Sequence, residues 1–82
     1  MERNEVFEKM QEISRDVFED ENLVITESTS AADVAGWDSL THLSFVNELE
    51  ELFDVAFTLD EVSGSKNIGE LLNTLMKHID EK

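Results

Sequence analysis

The chain has 82 residues, of which 40% are hydrophobic and only three are glycine, with no proline and no cysteine. That is one domain over residues 1–82 with apolar material for one small core, and with no disulfide, thiolate metal site or cysteine nucleophile. Twenty acidic against six basic side chains leave a net charge of −14, which excludes nucleic acid and anionic membranes as partners and favours proteins with basic patches.

The opening residues, Met1-Glu2-Arg3-Asn4-Glu5, are charged and lead into no apolar signal segment, and no apolar run reaches membrane-spanning length. A cytoplasmic monomer is the expectation. Between about Asn4 and Glu19, Val6, Met10, Ile13 and Val17 recur at helical spacing, widened by Phe7 and Phe18, with Glu8, Glu12, Arg15 and Glu19 opposite. The pattern predicts an amphipathic helix capped by Asn4, with Met10 as core filler. From Asp20 to Asp38 the periodicity stops, and a loop is expected, with Val34 as its anchor to the core. So long a loop in so small a domain points to function.

Asp38 reads as the N-cap of a second helix that starts at Ser39 and ends near Asp54, with Gly36 allowing a sharp approach. Phe45, Val46, Leu49, Leu52 and Phe53 share an arc of about 120° and should face the core. A short helical turn is expected at Leu59–Val62, capped by Thr58 and broken by Ser63-Gly64-Ser65. The last helix starts at Asn67, with Glu70 three positions on as in a capping box. Ile68, Leu71, Leu72, Leu75, Met76 and Ile79 line one face, and Lys77 and His78 suit the dipole of the last turn. Three longer helices and one short one predict an all-α four-helix bundle.

The segment Gly36-Trp37-Asp38-Ser39-Leu40 carries the chemistry. Ser39 takes the first helical position, where unpaired N–H groups and the macrodipole favour a phosphate. Leu40 lies across the helix from Leu49 and Phe53, on an outward stripe with Ser44, Asn47 and Glu51. Trp37 and His42 occupy the two positions of a hydrophobic staple, a packing role, and His42 is otherwise expected to be solvent-exposed or regulatory. A Ser-His-Asp hydrolase built from Asp38, Ser39 and His42 is rejected, since one exposed helix start supplies neither a shielded site nor an oxyanion hole. The acidic clusters at Glu19-Asp20-Glu21 and Glu48-Glu50-Glu51 lack the glycine and final glutamate of an EF-hand loop, and no metal site is expected.

Gly36-x-Asp38-Ser39-Leu40 resembles the attachment motif of acyl carrier proteins. The likeness extends over nearly the whole chain, through Glu48, Leu49, Glu50, Glu51 and Phe53-Asp54 and through Asn67-Ile68-Gly69-Glu70-Leu71-Leu72. The resemblance implies a carrier, not an enzyme. A phosphopantetheinyl transferase would attach 4'-phosphopantetheine to Ser39, and the arm's thiol would hold acyl groups as thioesters. It further implies that Asp38 and Leu40 flank the site and meet the transferase. Leu40, Ser44, Asn47, Glu48 and Glu51 would form the docking face for acyl-loading and acyl-processing enzymes. The core stripe with Ile68 and Leu72 would line any acyl cavity. Two departures stand out: Thr41, His42 and Ser44 replace the acids usual after the motif in fatty acid carriers, and Ala56-Phe57-Thr58 replaces an Ile-Pro-type segment. Fatty acid synthesis, a specialised polyketide or lipid pathway, and aminoacyl or peptidyl carriage all stay open. Outside the class stands an acidic helical interaction module with no prosthetic group.

Overall fold

A computed structural model describes residues 2–81. Its order is α1 (Arg3–Val17), a 3-10 turn at Ala31–Asp33, α2 (Ser39–Phe53), α3 (Leu59–Gly64) and α4 (Ile68–Asp80). The bundle expected from the sequence is therefore present, with no strand among the described residues. α1 packs against α2 and α4, and α3 leans on α4.

The apolar stripes meet in one core: Val6 and Met10 from α1, Phe45, Val46, Leu49 and Phe53 from α2, and Ile68, Leu71, Leu72 and Leu75 from α4. Ile25 pins the long loop between α1 and α2 to this core, and Val34, further along the loop, is buried but lies outside the cluster. Leu52 departs from the expected stripe, because it sits at the edge of the arc and is 52% exposed beside the acidic face of α2.

The helix ends differ from the sequence reading in ways the side chains explain. Glu2, not Asn4, is the N-cap of α1, and it makes no side-chain cap bond. The helix begins two residues early, and the Arg3 guanidinium in its first turn reaches Glu27 and Asn73, which accepts from it at 2.7 Å. At its other end α1 stops at Val17 rather than Glu19, whose φ of 53° is left-handed. Gln11 and Arg15 both donate to the carbonyl of Leu23 at 2.8 Å, and the Gln11 side-chain oxygen accepts from the Ile25 N–H at 2.9 Å. One glutamine amide thus gives this stretch of loop the partners that a neighbouring strand would otherwise supply. α3 runs on through Gly64, two residues past the expected end at Val62, with the Ser63 and Ser65 hydroxyls donating back to Leu59 and Glu61.

The loop also caps α4. The N–H groups of Ile68 and Gly69 donate to the carbonyls of Thr29 (2.8 Å) and Glu27 (2.7 Å), and Asn67 accepts from the Glu70 N–H. A Cβ on Gly69 would lie 2.9 Å from the Glu27 oxygen, closer than carbon and oxygen tolerate. Gly69→Ala is therefore expected to destabilise by about 1–3 kcal/mol, read as a lower urea midpoint, despite alanine's better helix propensity.

Candidate functional site

The approach to α2 is built residue by residue. Gly36 adopts φ +84°, a left-handed conformation that glycine takes without strain. Asp38 then caps the helix, accepting from the Thr41 N–H at 3.0 Å, while the Thr41 hydroxyl accepts from the Asp38 N–H at 2.8 Å. Threonine thus completes the capping box that glutamate usually closes. The Thr41 N–H bond holds the Asp38 carboxyl below its ordinary range.

Ser39 follows as the first residue of α2, exposed, with its hydroxyl engaged by no neighbour among the described residues. The first turn of α2 carries no acidic side chain. Thr41 and His42 therefore add no negative charge to that of the capping Asp38 near the position where a phosphate on Ser39 would sit, in the favourable field of the helix start. Beside the hydroxyl opens a groove of about 350 Å³ between the start of α2 and α3, reached by Asp38, Ser39, His42, Ser63, Ser65 and Lys66. Its size, the free hydroxyl and the nearby lysine fit a phosphate ester with a flexible arm. Ser63, Ser65 and Lys66 were not expected as site residues. They come from a distant stretch of chain, and only the packing of α3 brings them near Ser39.

Leu40 is 75% exposed, and Ser44, Asn47, Glu48 and Glu51 are also exposed on the outward side of α2. Leu43 and Leu52, about half exposed, border that face.

His42 packs with Trp37, as the staple positions suggest, and is not solvent-exposed, which was the other expectation. It is half-buried, and the Trp37 indole stacks on it with ring centres 5.9 Å apart. The indole N–H donates to His42 Nδ1 at 3.2 Å. On the opposite edge, Nε2 meets the Val62 carbonyl at 3.0 Å. Indole is only a donor and a carbonyl only an acceptor, so Nδ1 accepts and Nε2 carries the proton. With both ring nitrogens engaged elsewhere, no base serves Ser39, which gives a structural reason for rejecting the hydrolase.

The chain's other histidine also fastens α3. His78 Nε2 donates to Glu61 Oε1 at 2.8 Å, and Glu61 closes the α3 capping box by accepting from the Thr58 N–H at 2.8 Å. The Thr58 bond first, and His78 second, hold the Glu61 carboxyl below its ordinary value of 4.5. A depressed carboxyl contributes stability in full above its unfolded value and loses it as pH falls through the native one. The difference in urea midpoint between the native chain and Glu61→Gln is thus expected to shrink as pH drops from about 6 to about 3. A difference that grows in acid would contradict the assignment.

A small all-helical bundle that presents a free serine at a helix start, beside an open groove and an acidic helix, is the architecture of a prosthetic-group carrier. Residues 8–75 match the family model described as the phosphopantetheine attachment site. The chain is 30% identical over 76 residues to the acyl carrier protein of Clostridium acetobutylicum, covering 93% of this chain and 99% of that one. It is 28% identical over 78 residues to the acyl carrier protein of Lactobacillus acidophilus, covering 95% and 98%. The solution structure of holo acyl carrier protein from Geobacter metallireducens superimposes with a TM-score of 0.86 at 34% identity, over 93% of this chain and 87% of that one. The crystal structure of acyl carrier protein from Thermotoga maritima shares the fold, with a TM-score of 0.85 at 22% identity over 99% and 94%. The chain belongs to the acyl carrier protein family: it is a phosphopantetheine-bearing carrier of acyl groups. No helix among the described residues is long and apolar enough to cross a membrane.

Proposed function

We propose that Ser39 is the residue esterified by 4'-phosphopantetheine, and that the protein presents its thioester-bound cargo to other enzymes without catalysing a step itself. The observation that carries this reading is the free, exposed Ser39 hydroxyl at the first position of α2. Asp38 holds the helix start in shape, and Leu40 offers the transferase an apolar contact next to the nucleophile. Leu40, Ser44, Asn47, Glu48 and Glu51 form the docking face, with Leu43 and Leu52 at its borders. The net charge of −14 speeds encounter with partners that carry basic patches, and the partners' contacts with Leu40 then fix the register. The carrier works as a single domain in the cytoplasm and as a monomer.

Incubation with coenzyme A and a broad-specificity phosphopantetheinyl transferase tests this, read by intact mass. A gain of one phosphopantetheine, located by peptide mapping to the segment containing Ser39, is expected. A folded protein that gains no mass, or gains it elsewhere, would refute the assignment.

A further inference from the structure

The groove beside Ser39 is bridged by one side chain. His42 stands on the first turn of α2, and through Nε2 it holds the Val62 carbonyl of α3 at 3.0 Å. Its other nitrogen is held at 3.2 Å by the Trp37 indole, which packs in turn on Phe18 and Phe45. The bridge is therefore rooted in the core at one end and attached to α3 at the other. An alkyl chain passing from the groove into the core between α2 and α3 would have to part His42 from Val62. It would leave a ring nitrogen and a half-buried carbonyl without partners, and such losses oppose entry.

The groove lining mixes the apolar surfaces of Ala31, Trp37 and Val62 with polar groups. The Ser63 and Ser65 hydroxyls donate their protons to α3 carbonyls at 2.9 and 2.8 Å, which leaves their oxygens able to accept. Lys66 and Asp38 supply one charge of each sign. A short alkyl segment can lie on the apolar part, and a cargo hydroxyl or carbonyl finds both donors and acceptors beside it.

Resting on the assignment of Ser39 as the attachment site, we propose that His42 is a specificity-determining gate: it keeps the cargo out of the core and restricts the carrier to short, oxygen-substituted acyl groups held in the surface groove. Cargo identity is thus decided by a hydrogen-bonded ring next to the attachment point, and the apolar stripe of α2 with Ile68 and Leu72 serves as closed core.

The test loads the native chain, His42→Ala and Trp37→Phe with butyryl, hydroxybutyryl and octanoyl groups from the corresponding acyl-coenzyme A thioesters. Intact mass confirms each load. Melting temperature and the amide and indole N–H resonances are then recorded, Trp37 being the single tryptophan. A chain buried in the core binds only the folded state and raises its melting temperature. On the native protein, octanoyl is expected to shift the melting temperature by less than about 1 °C relative to butyryl and to leave the Trp37 indole signal in place. Hydroxybutyryl is expected to move the amides of Ser63, Ser65 and Lys66 more than butyryl does. With the bridge removed in His42→Ala, octanoyl should raise the melting temperature by more than about 4 °C. Trp37→Phe keeps an aromatic ring in place and removes only the donor to Nδ1, so it tests the bridge even where the alanine variant folds poorly.

A native protein that melts higher with octanoyl than with butyryl would overturn the gate while leaving the carrier intact. So would folded variants that ignore chain length. Failure of any acyl group to load at Ser39 removes the carrier reading itself and the gate with it, and the mass spectrum alone distinguishes that case.

Discussion

Ser39→Ala is expected to abolish loading completely while leaving the fold and its urea midpoint unchanged. The phosphoester oxygen is the serine's own, and alanine has no atom that can replace it. No neighbouring hydroxyl substitutes either, because the Thr41 hydroxyl already donates to the Gly36 carbonyl at 2.8 Å and lies inside the capping box. Stability should be indifferent, since Ser39 is exposed and the capping bonds belong to Asp38 and Thr41. Exposed changes away from caps and core are worth within about 0.5 kcal/mol. Asp38→Ala gives the complementary result: it removes the cap and costs about 1 kcal/mol, read as a lower urea midpoint. Together the two variants separate the residue that carries the arm from the residue that shapes the helix start. A Ser39→Ala protein that still takes up phosphopantetheine would place the attachment elsewhere and undo the functional assignment.

The division between what was legible in the sequence and what was not follows the range of the interactions. Asp38, Thr58 and Asn67 could be read as caps because a cap acts within three residues. The exposure of Leu40 followed from its angular distance to Leu49 and Phe53 on one helix. Ser30 and Asp33 carried the same kind of local signal, a capping box around a 3-10 turn, inside a stretch that otherwise reads as loop. The role of Gln11 had no such signal, because its partners Leu23 and Ile25 lie across a turn whose course depends on the packed core. His42 belongs partly to each group. Its helix position suggested a staple with Trp37, and the two rings do stack, but its bond to Val62 spans 20 positions in sequence. The groove residues Ser63, Ser65 and Lys66 belong to the second group. Helix starts and helix faces are decided locally, whereas the cleft between α2 and α3 exists only after the bundle has closed.

Phe45→Ala is expected to have the largest effect on stability, about 3–5 kcal/mol, because a large fully buried ring is replaced by a methyl group in a small core. Phe45 has no exposure at all, and it meets Phe18 and Trp37 edge-on with ring centres 6.1 and 6.2 Å apart. Its loss would also loosen the support of Trp37, and through it the hydrogen bond that holds His42. Small domains have only about 5–15 kcal/mol in total to lose. The net charge of −14 reduces the reserve further at low ionic strength, where acidic side chains repel one another over distances longer than at physiological salt. The variant should therefore lose its cooperative urea transition in dilute buffer and regain it as salt is raised, a response followed by helical circular dichroism. Leu52→Ala provides the control. The sequence places Leu52 on the same stripe as Phe45, but the structure leaves it 52% exposed, so its removal should cost no more than about 1 kcal/mol. Equal losses from the two variants would mean that α2 is rotated relative to the core, with Leu52 turned inward and Phe45 sharing its burial.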